Sequence, residues 1–306
     1  MTVIVREFRS EDAVALAQVR RRALPVLIST AESVLHDVTR MHPDAHYGLF
    51  VAEEDGEVIG TADSGMAHDS PVPGQGYLNV YVHPERVHRG AGALLARAAE
   101  ERLAALGATA LFCWVLDTAD NRAFAERRDY RASRSSRFLR LDLDDGPLPP
   151  PTAPPAGVEL RAAADFADDP RPLFALDAET TADEPGDIDA ELDDYEQWLG
   201  DTWHHPLLDH ELTTVAMVDG VPAAFTAART DGQGRYFTAM TGTARAFRGR
   251  GLAKLAKNAS LHRARAAGCT EAFTGNDASN GPMLAINKWL GYEVCATEVR
   301  YVRELG

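Results

Sequence analysis

Two spacings of apolar residues alternate along the chain, in an order that occurs twice. VIVREFR (3–9) places apolar and polar residues with period two, as in a half-buried strand. EDAVALAQVRRRAL (11–24) has helical spacing, and residues 31–40 give a second helical segment. LFVAEE, EVIGTADSGMA and GYLNVYV then read as three strands, with a turn signal at Glu54-Asp55-Gly56-Glu57 between the first two. GALLARAAEERLAALG is a long amphipathic helix stopped by Gly107. ALFCWVL predicts a strand, residues 119–128 a short helix, and Tyr130 to Leu143 closing strands. After residue 157 the order returns. VELRA is a strand, and residues 165–181 and 190–203 read as helices. TTVAMVDG and VPAAFTAART form a hairpin turning at Asp219-Gly220. GRYFTAMTGTA, the helix GLAKLAKNASLHRARAAG, the strand EAFTGN, a helix over 280–290 and YEVCATEVRYVREL complete it. Each half is β-α-α-β-β-β-α-β-α-β-β, so the pattern predicts duplication of a whole domain rather than a short solenoid repeat.

Residues 146–157, GPLPPPTAPPAG, contain six prolines and separate the halves. Proline fixes φ and donates no backbone hydrogen bond, so this segment is expected to be a semi-rigid linker between domains at 1–145 and 158–306. A length of 306 residues suits two domains that each bury an adequate core. The 45% hydrophobic and 25% charged content excludes a wholly disordered or collagen-like chain. Apolar runs are strand-sized and the start is charged by Arg6, so no membrane span and no signal peptide are expected, and the location is read as cytoplasmic. A net charge of −15 argues against nucleic-acid or anionic-membrane partners and suits a cationic one. Among the 31 basic residues only Lys254, Lys257 and Lys288 are lysines. Three scattered cysteines (Cys113, Cys269, Cys295) give no disulfide framework, and His42/His46, with Pro43 between them, give no expected metal site.

The chemistry concentrates where the fourth strand of each half meets its long helix. The second half reads Thr241-Gly-Thr-Ala-Arg-Ala-Phe-Arg248-Gly249-Arg250-Gly251-Leu252-Ala253 there, and the first reads Val80-Tyr-Val-His-Pro-Glu-Arg86-Val87-His88-Arg89-Gly90-Ala91-Gly92. Small residues let a ligand approach the backbone, and free N–H groups at a helix start form an anion cradle. Arginines add charge for phosphate oxygens. Read by residue type alone, a tight turn with solvated arginines remains open. The loop is neither a Walker A motif nor a dinucleotide fingerprint.

On these residues both halves resemble GCN5-related N-acetyltransferase domains, whose signature is Arg/Gln-x-x-Gly-x-Gly/Ala between the fourth strand and third helix. Arg248, Gly251 and Ala253 fit it throughout; in the first half Gly90 and Gly92 fit, but Val87 stands in the Arg/Gln place. The two-domain layout is similar to that of mycothiol synthase and related actinobacterial tandem acetyltransferases. The resemblance implies an α/β (α+β) fold of two tandem domains, each a mixed, mostly antiparallel twisted sheet flanked by helices. It implies acetyl-CoA, or another acyl-CoA, as co-substrate, and no metal. In the second half it places the acyl-CoA on Met240, Thr241, Gly242, Thr243, Arg248, Gly249, Arg250, Gly251, Leu252, Ala253 and Lys254. Asn276, Asn280, Met283 and Asn287 would line the pantetheine arm, ahead of the ending Leu290-Gly291-Tyr292; Asn280 reads equally as a helix cap. In the first half the corresponding residues are Val82, Arg89, Gly90, Ala91, Gly92 and Asn121.

The family mechanism is direct attack of an amine on the thioester within a ternary complex. It needs a backbone N–H for the oxyanion, and Gly242 makes a bulge in the fourth strand plausible. Where many members carry a tyrosine as proton donor to the thiolate, this chain has Asn287, with Ala125 in the first half. Neither fourth strand carries an acid. Residues 183–196, DEPGDIDAELDDYE, hold eight acidic residues, of which Asp183, Glu184 and Asp187 could attract a cationic amine and relay its proton; a solvated acidic loop is the open alternative. Tyr195, Trp198 and Trp203 suit a pocket wall or core. The expectation is an N-acyltransferase acting on a small amine, as monomer or homodimer, with its working site in the C-terminal domain. Alternatives are a non-catalytic acyl-CoA sensor or scaffold and a protein N-acetyltransferase. For the first domain a degenerate support, a non-catalytic acyl-CoA binder and a second active site all stay open.

Overall fold

The computed structural model describes residues 2–188 and 192–305. Two compact units result, Met1–Ser136 with Ala296–Gly306, and Arg137–Cys295. These divisions depart from the boundaries that the proline-rich segment suggests. The closing residues Glu298–Glu304 pair antiparallel with Ala110–Leu116 of the first unit. Strand pattern in a sequence does not show which sheet edge a strand will cover.

In chain order the first unit contains β1 (Val3–Glu7), α1 (Ala13–Ala23), α2 (Ala31–Arg40), β2 (Gly48–Glu54), β3 (Glu57–Met66), β4 (Gln75–Val82), α3 (Ala91–Ala105), β5 (Ala110–Leu116), α4 (Ala119–Glu126) and the start of β6 (Arg131–Asp142). The second contains the rest of β6, β7 (Val158–Ala162), α5 (Arg171–Thr181), α6 (Tyr195–Trp198), β8 (Thr214–Val218), β9 (Val221–Thr230), β10 (Arg235–Thr243), α7 (Leu252–Ala266), β11 (Glu271–Asp277), α8 (Gly281–Leu290) and the start of β12 (Glu293–Glu304). The strand order is β1-β2-β3-β4-β5-β12 in the first unit and β7-β8-β9-β10-β11-β6 in the second. Both sheets are antiparallel except where the fourth strand of each unit meets the fifth. The fold class is the α/β arrangement that the duplicated pattern implies.

The hairpin turns form as their residue pairs predict: Asp55-Gly56 and Asp219-Gly220 both have positive φ, the conformation that matches strand twist. On α7, Leu252, Leu255, Ala256, Leu261 and Ala264 are buried at helical spacing and pack on the sheet. The second-unit core gathers Tyr236, Leu261, Ala272 and Leu290; that of the first gathers Ile59, Leu95, Leu103, Leu111 and Tyr301.

Three local expectations change. Helix 165–181 begins only at Arg171, because Pro170 takes the N-cap position; residues 163–166 form one 3-10 turn before it. The expected helix 190–203 is one α turn over Tyr195–Trp198 followed by a π turn over Leu199–Trp203, while residues 189–191 lie outside the described residues. Each half closes on one long strand, not two. The proline-rich segment is not a free linker at its start. The carbonyls of Gly146, Pro149 and Pro150 accept hydrogen bonds from Arg265, His262 and Asn258 of α7. Prolines leave such carbonyls without a strand partner, and polar side chains on α7 take them.

Candidate functional site

The second unit carries a cleft made by strands that part. β10 and β11 run parallel in register from Arg235↔Glu271 to Thr238↔Thr274, and no further. β10 continues to Thr243 and β11 to Asp277, so their outer halves diverge. The parting coincides with a bulge. Along β9 the register passes from Thr238↔Ala228 to Met240↔Ala227, leaving Ala239 extra. The expected bulge at Gly242 is corrected: Gly242 stays in register with Phe225, and its lack of a side chain has another cause. A Cβ there would lie 2.5 Å from Thr180 Oγ1 of α5, so glycine is required for that helix to pack on the strand.

Beyond β10 a 3-10 turn at Arg245–Phe247 leads through Arg248 to Gly249 (φ 76°) and Gly251 (φ 75°), the N-cap of α7. No side chain caps this helix. Its first-turn N–H groups therefore face outward unclaimed, and the helix dipole adds positive potential there. A Cβ on Gly249 or Gly251 would meet nothing within 4 Å. The turn is open outside both glycines, with no side chain of the described residues packed against either. Leu252 is buried beneath it, Ala253 is half-buried, and Lys254 sets its ammonium 3.5 Å from the Trp289 ring centroid on α8.

Asp183 does not serve as the free base that its sequence setting suggested. Arg245 holds it with two hydrogen bonds of 2.8 Å, and Arg248 adds a third. These cations hold the carboxyl down at about 2. Arg248 also donates to the Thr243 carbonyl at 3.2 Å. The arginine expected on a phosphate is thus tied to an acid at the mouth of the turn. Glu184 is exposed and Asp187 half-buried in the same loop. Asp183→Asn is expected to release Arg245 and Arg248 and to tighten coenzyme A binding several-fold, with a steeper salt dependence, in calorimetry at 50 and 300 mM salt. Unchanged affinity at both would show that Asp183 does not compete for the arginines.

Across the cleft, Asn280 is the N-cap of α8 and accepts from the Met283 N–H at 3.2 Å, so the helix-cap reading holds. Asn287 is fully buried. Its Nδ2 donates to Asn276 Oδ1 at 2.5 Å, and its Oδ1 has no partner. An orphaned buried acceptor is rare in a finished core and fits a ligand that brings a donor, such as a pantetheine amide. Met240 and Thr241 meet Thr226, whose hydroxyl lies 3.4 Å from the Met240 carbonyl and 2.9 Å from Thr241 Oγ1. Trp198 and Trp203 are core residues with Leu173, Leu176 and Val215, and half-buried Tyr195 packs against them. Asp177, which burial pushes up, accepts from the Trp198 indole at 2.8 Å.

The first unit repeats the outline and differs at each working point. β4 and β5 pair only from Gln75↔Ala110 to Tyr77↔Phe112, but β4 has no bulge against β3. Asn79 Oδ1 accepts the Trp114 N–H at 3.2 Å, so a side chain bridges the parting strands. His88 holds the left-handed conformation that Gly249 holds in the second unit (φ 62°), and Gly90 caps α3 ahead of Ala91 and Gly92. Arg89, expected on a phosphate, pairs with Glu54 at 2.8 Å, and Arg86 pairs with Glu57 at 2.7 Å. Asn121 does not open its helix; Thr118 is the cap, and Asn121 Nδ2 donates to the Leu116 carbonyl at 3.2 Å. Val82 ends β4.

The candidate residues omit one buried group, Lys257 on α7, which is fully enclosed. Two signals in the sequence point to it. Its helical phase matches Leu261 and Ala264, and counting from the cap glycine it stands where α3 has Ala96. The bulge had a signal too: Arg235 to Gly251 is one residue longer than Gln75 to Gly90.

Comparison with known proteins agrees with this geometry. No curated protein matches the chain. A GCN5-related N-acetyltransferase from Sphaerobacter thermophilus is similar over 99% of this chain and 95% of its own, at 21% identity and a TM-score of 0.73. A tandem GNAT protein from the clavulanic acid biosynthesis pathway is similar over 100% and 99%, at 20% identity and a TM-score of 0.73. At that identity they establish the shared fold. The family model described as acetyltransferase (GNAT) family matches residues 15–130 and again 173–292. With a match in each unit, and with the parted strands and glycine turn in both, the chain belongs to the GNAT acetyltransferase family as a tandem protein.

Proposed function

We propose that the chain is an acyl-CoA-dependent N-acyltransferase, using acetyl-CoA and acting on a small amine, with its working site in the second unit. The observation that carries this reading is the coincidence, in that unit alone, of a bulged, parted β10 with an open glycine turn. Acetyl-CoA, when bound, would supply an acyl carbon activated as a thioester. Gly249, Arg250, Gly251 and the first turn of α7 would hold its pyrophosphate, and Asn276 and Asn287 its amide-rich arm. The backbone released at Ala239–Met240 is where an oxyanion would find an N–H donor. Asn287 can hydrogen-bond a sulfur but cannot supply a proton. Binding both partners side by side converts an encounter into a unimolecular step.

Incubation of the full chain with labelled acetyl-CoA and a panel of small amines is expected to transfer label to at least one of them. Tight acetyl-CoA binding without transfer to any amine would establish a sensor instead. Transfer only to peptide amines would make the acceptor a protein.

A further inference from the structure

A polar cluster lies on the α7–α8 face of the second sheet, at the vertex where β10 and β11 part. Thr238 and Thr274 are the last paired residues there, on one face of the sheet. The Lys257 ammonium reaches Thr274 Oγ1 at 3.5 Å and lies 5.3 Å from the Tyr292 ring centroid. Thr238 Oγ1 and the Tyr292 hydroxyl are buried there as well, near enough to interact with each other. The Asn276–Asn287 pair, with its orphaned carbonyl oxygen, follows two residues along β11.

Such a cluster has no packing rationale. A lysine with no exposed surface and no carboxylate partner among the described residues is a costly core residue, and methionine would fill the space without charge. The chain writes arginine at 28 of its 31 basic positions, yet this enclosed position is lysine. Arginine stays protonated in any protein, whereas lysine can be neutral. What the position requires is therefore an amine that can lose its proton.

We propose that Lys257 is the proton-holding group of the transfer site, acting through the hydroxyl of Thr274 at the vertex of the cleft. The proposal rests on the acyltransferase reading of that cleft. Transfer converts an ammonium and a thioester into an amide, a thiol and one released proton. Neutral Lys257 takes the first proton as the N–H bond of the acceptor ammonium breaks. It returns that proton to sulfur as the new N–C bond forms and the C–S bond breaks, its electron pair leaving with sulfur. The second nitrogen proton goes to water. Lys257 thus acts through Thr274 as a positioning residue for protons, in a site where residue 287 is Asn and β10 carries no acid.

Burial alone lowers the Lys257 amine from 10.5 to about 7. The titratable groups facing it, Tyr292 and Tyr236, are both raised by burial and stay neutral phenols. Below about pH 7 the amine is charged and cannot accept, so activity rises with pH through that region. The unfolded chain keeps the proton up to about 10.5, so stability should also rise with pH between the two values.

With three lysines, the full chain labelled with ¹³C-lysine gives three assignable sets of signals. One is expected to titrate near pH 7 without ligand, to vanish in Lys257→Met and to shift when coenzyme A is added. Lys257→Met should keep coenzyme A affinity within twofold, lower turnover roughly 100-fold at pH 7.5 and erase the rising limb of the pH profile. Its melting temperature should lack the rise between pH 7 and 10. Lys257→Arg, if folded, should be equally slow. A Lys257 signal that titrates above pH 9, or that ignores coenzyme A, overturns the proposal whether or not turnover is seen. An unchanged pH profile in Lys257→Met does the same. Failure of the wild type to bind coenzyme A in calorimetry would instead overturn the acyltransferase reading.

Discussion

Gly251→Glu is expected to abolish measurable coenzyme A binding, a loss of at least ~100-fold or about 3 kcal/mol. Gly251 caps α7 at φ 75°, a conformation that costs other residues about 1–2 kcal/mol. The space beyond its Cα is open, so a larger residue is strained rather than blocked and the unit should still fold. A carboxylate there would stand over the start of α7 and place negative charge against the phosphate proposed to bind it, where the helix dipole otherwise favours an anion. Gly251→Ala carries the strain without the charge and is expected to cost only a few-fold. Calorimetry on the two variants separates these effects. Gly90→Glu, at the matching turn of the first unit, is expected to leave affinity unchanged, since Arg86 and Arg89 are already engaged by Glu57 and Glu54. Wild-type affinity in Gly251→Glu would remove the turn from the binding site, and loss in Gly90→Glu would place coenzyme A in the first unit.

Asp63→Ala should destabilise the first unit by about 3–5 kcal/mol in urea unfolding followed by Trp114 fluorescence, as expected for half of a buried ion pair. Arg20 on α1 and Asp63 on β3 meet at 3.0 Å, with side chains only 9% and 12% exposed. Asn79 donates to the other carboxylate oxygen at 3.1 Å. Burial pushes the Asp63 carboxyl up, while Arg20 remains a cation; removing the acid strands that cation inside the unit. The loss would be larger than most core truncations of similar volume. The pair Arg20→Met and Asp63→Leu should recover most of it, because the cost lies in the uncompensated charge. A shift below 1 kcal/mol for Asp63→Ala would mean that water reaches the pair. Asn79 links this ion pair to the Trp114 N–H, so the feature that stabilises α1 on the sheet also bridges the parting strands of that unit.

Much of the architecture was legible from local pattern. The strand and helix order, the Asp55-Gly56 and Asp219-Gly220 turns, the helix stops at Gly107 and Gly268 and the glycine turn before α7 each follow from one short stretch of sequence. Each depends on backbone sterics or on spacing within about twenty residues, and a reader of the chain has both. The candidate acids fared differently. Asp183 looks like a free carboxylate in an acidic run, and only folding carries Arg245 and Arg248 to it across more than sixty residues. Gly242 looks like a bulge, and only the packing of Thr180 shows why it must be glycine.

By itself, the sequence determined a duplicated α/β domain with one complete and one degraded glycine turn, because periodicity, turn chemistry and glycine placement act locally. The tertiary structure decided which side chains share a cleft: that β12 completes the first unit, that Asn79 bridges its strands, and that Lys257 sits enclosed beside Thr274. The physical reason is that burial and charge pairing depend on distance in space. A lysine written on a helix reads as a solvated cation until a sheet is laid over it.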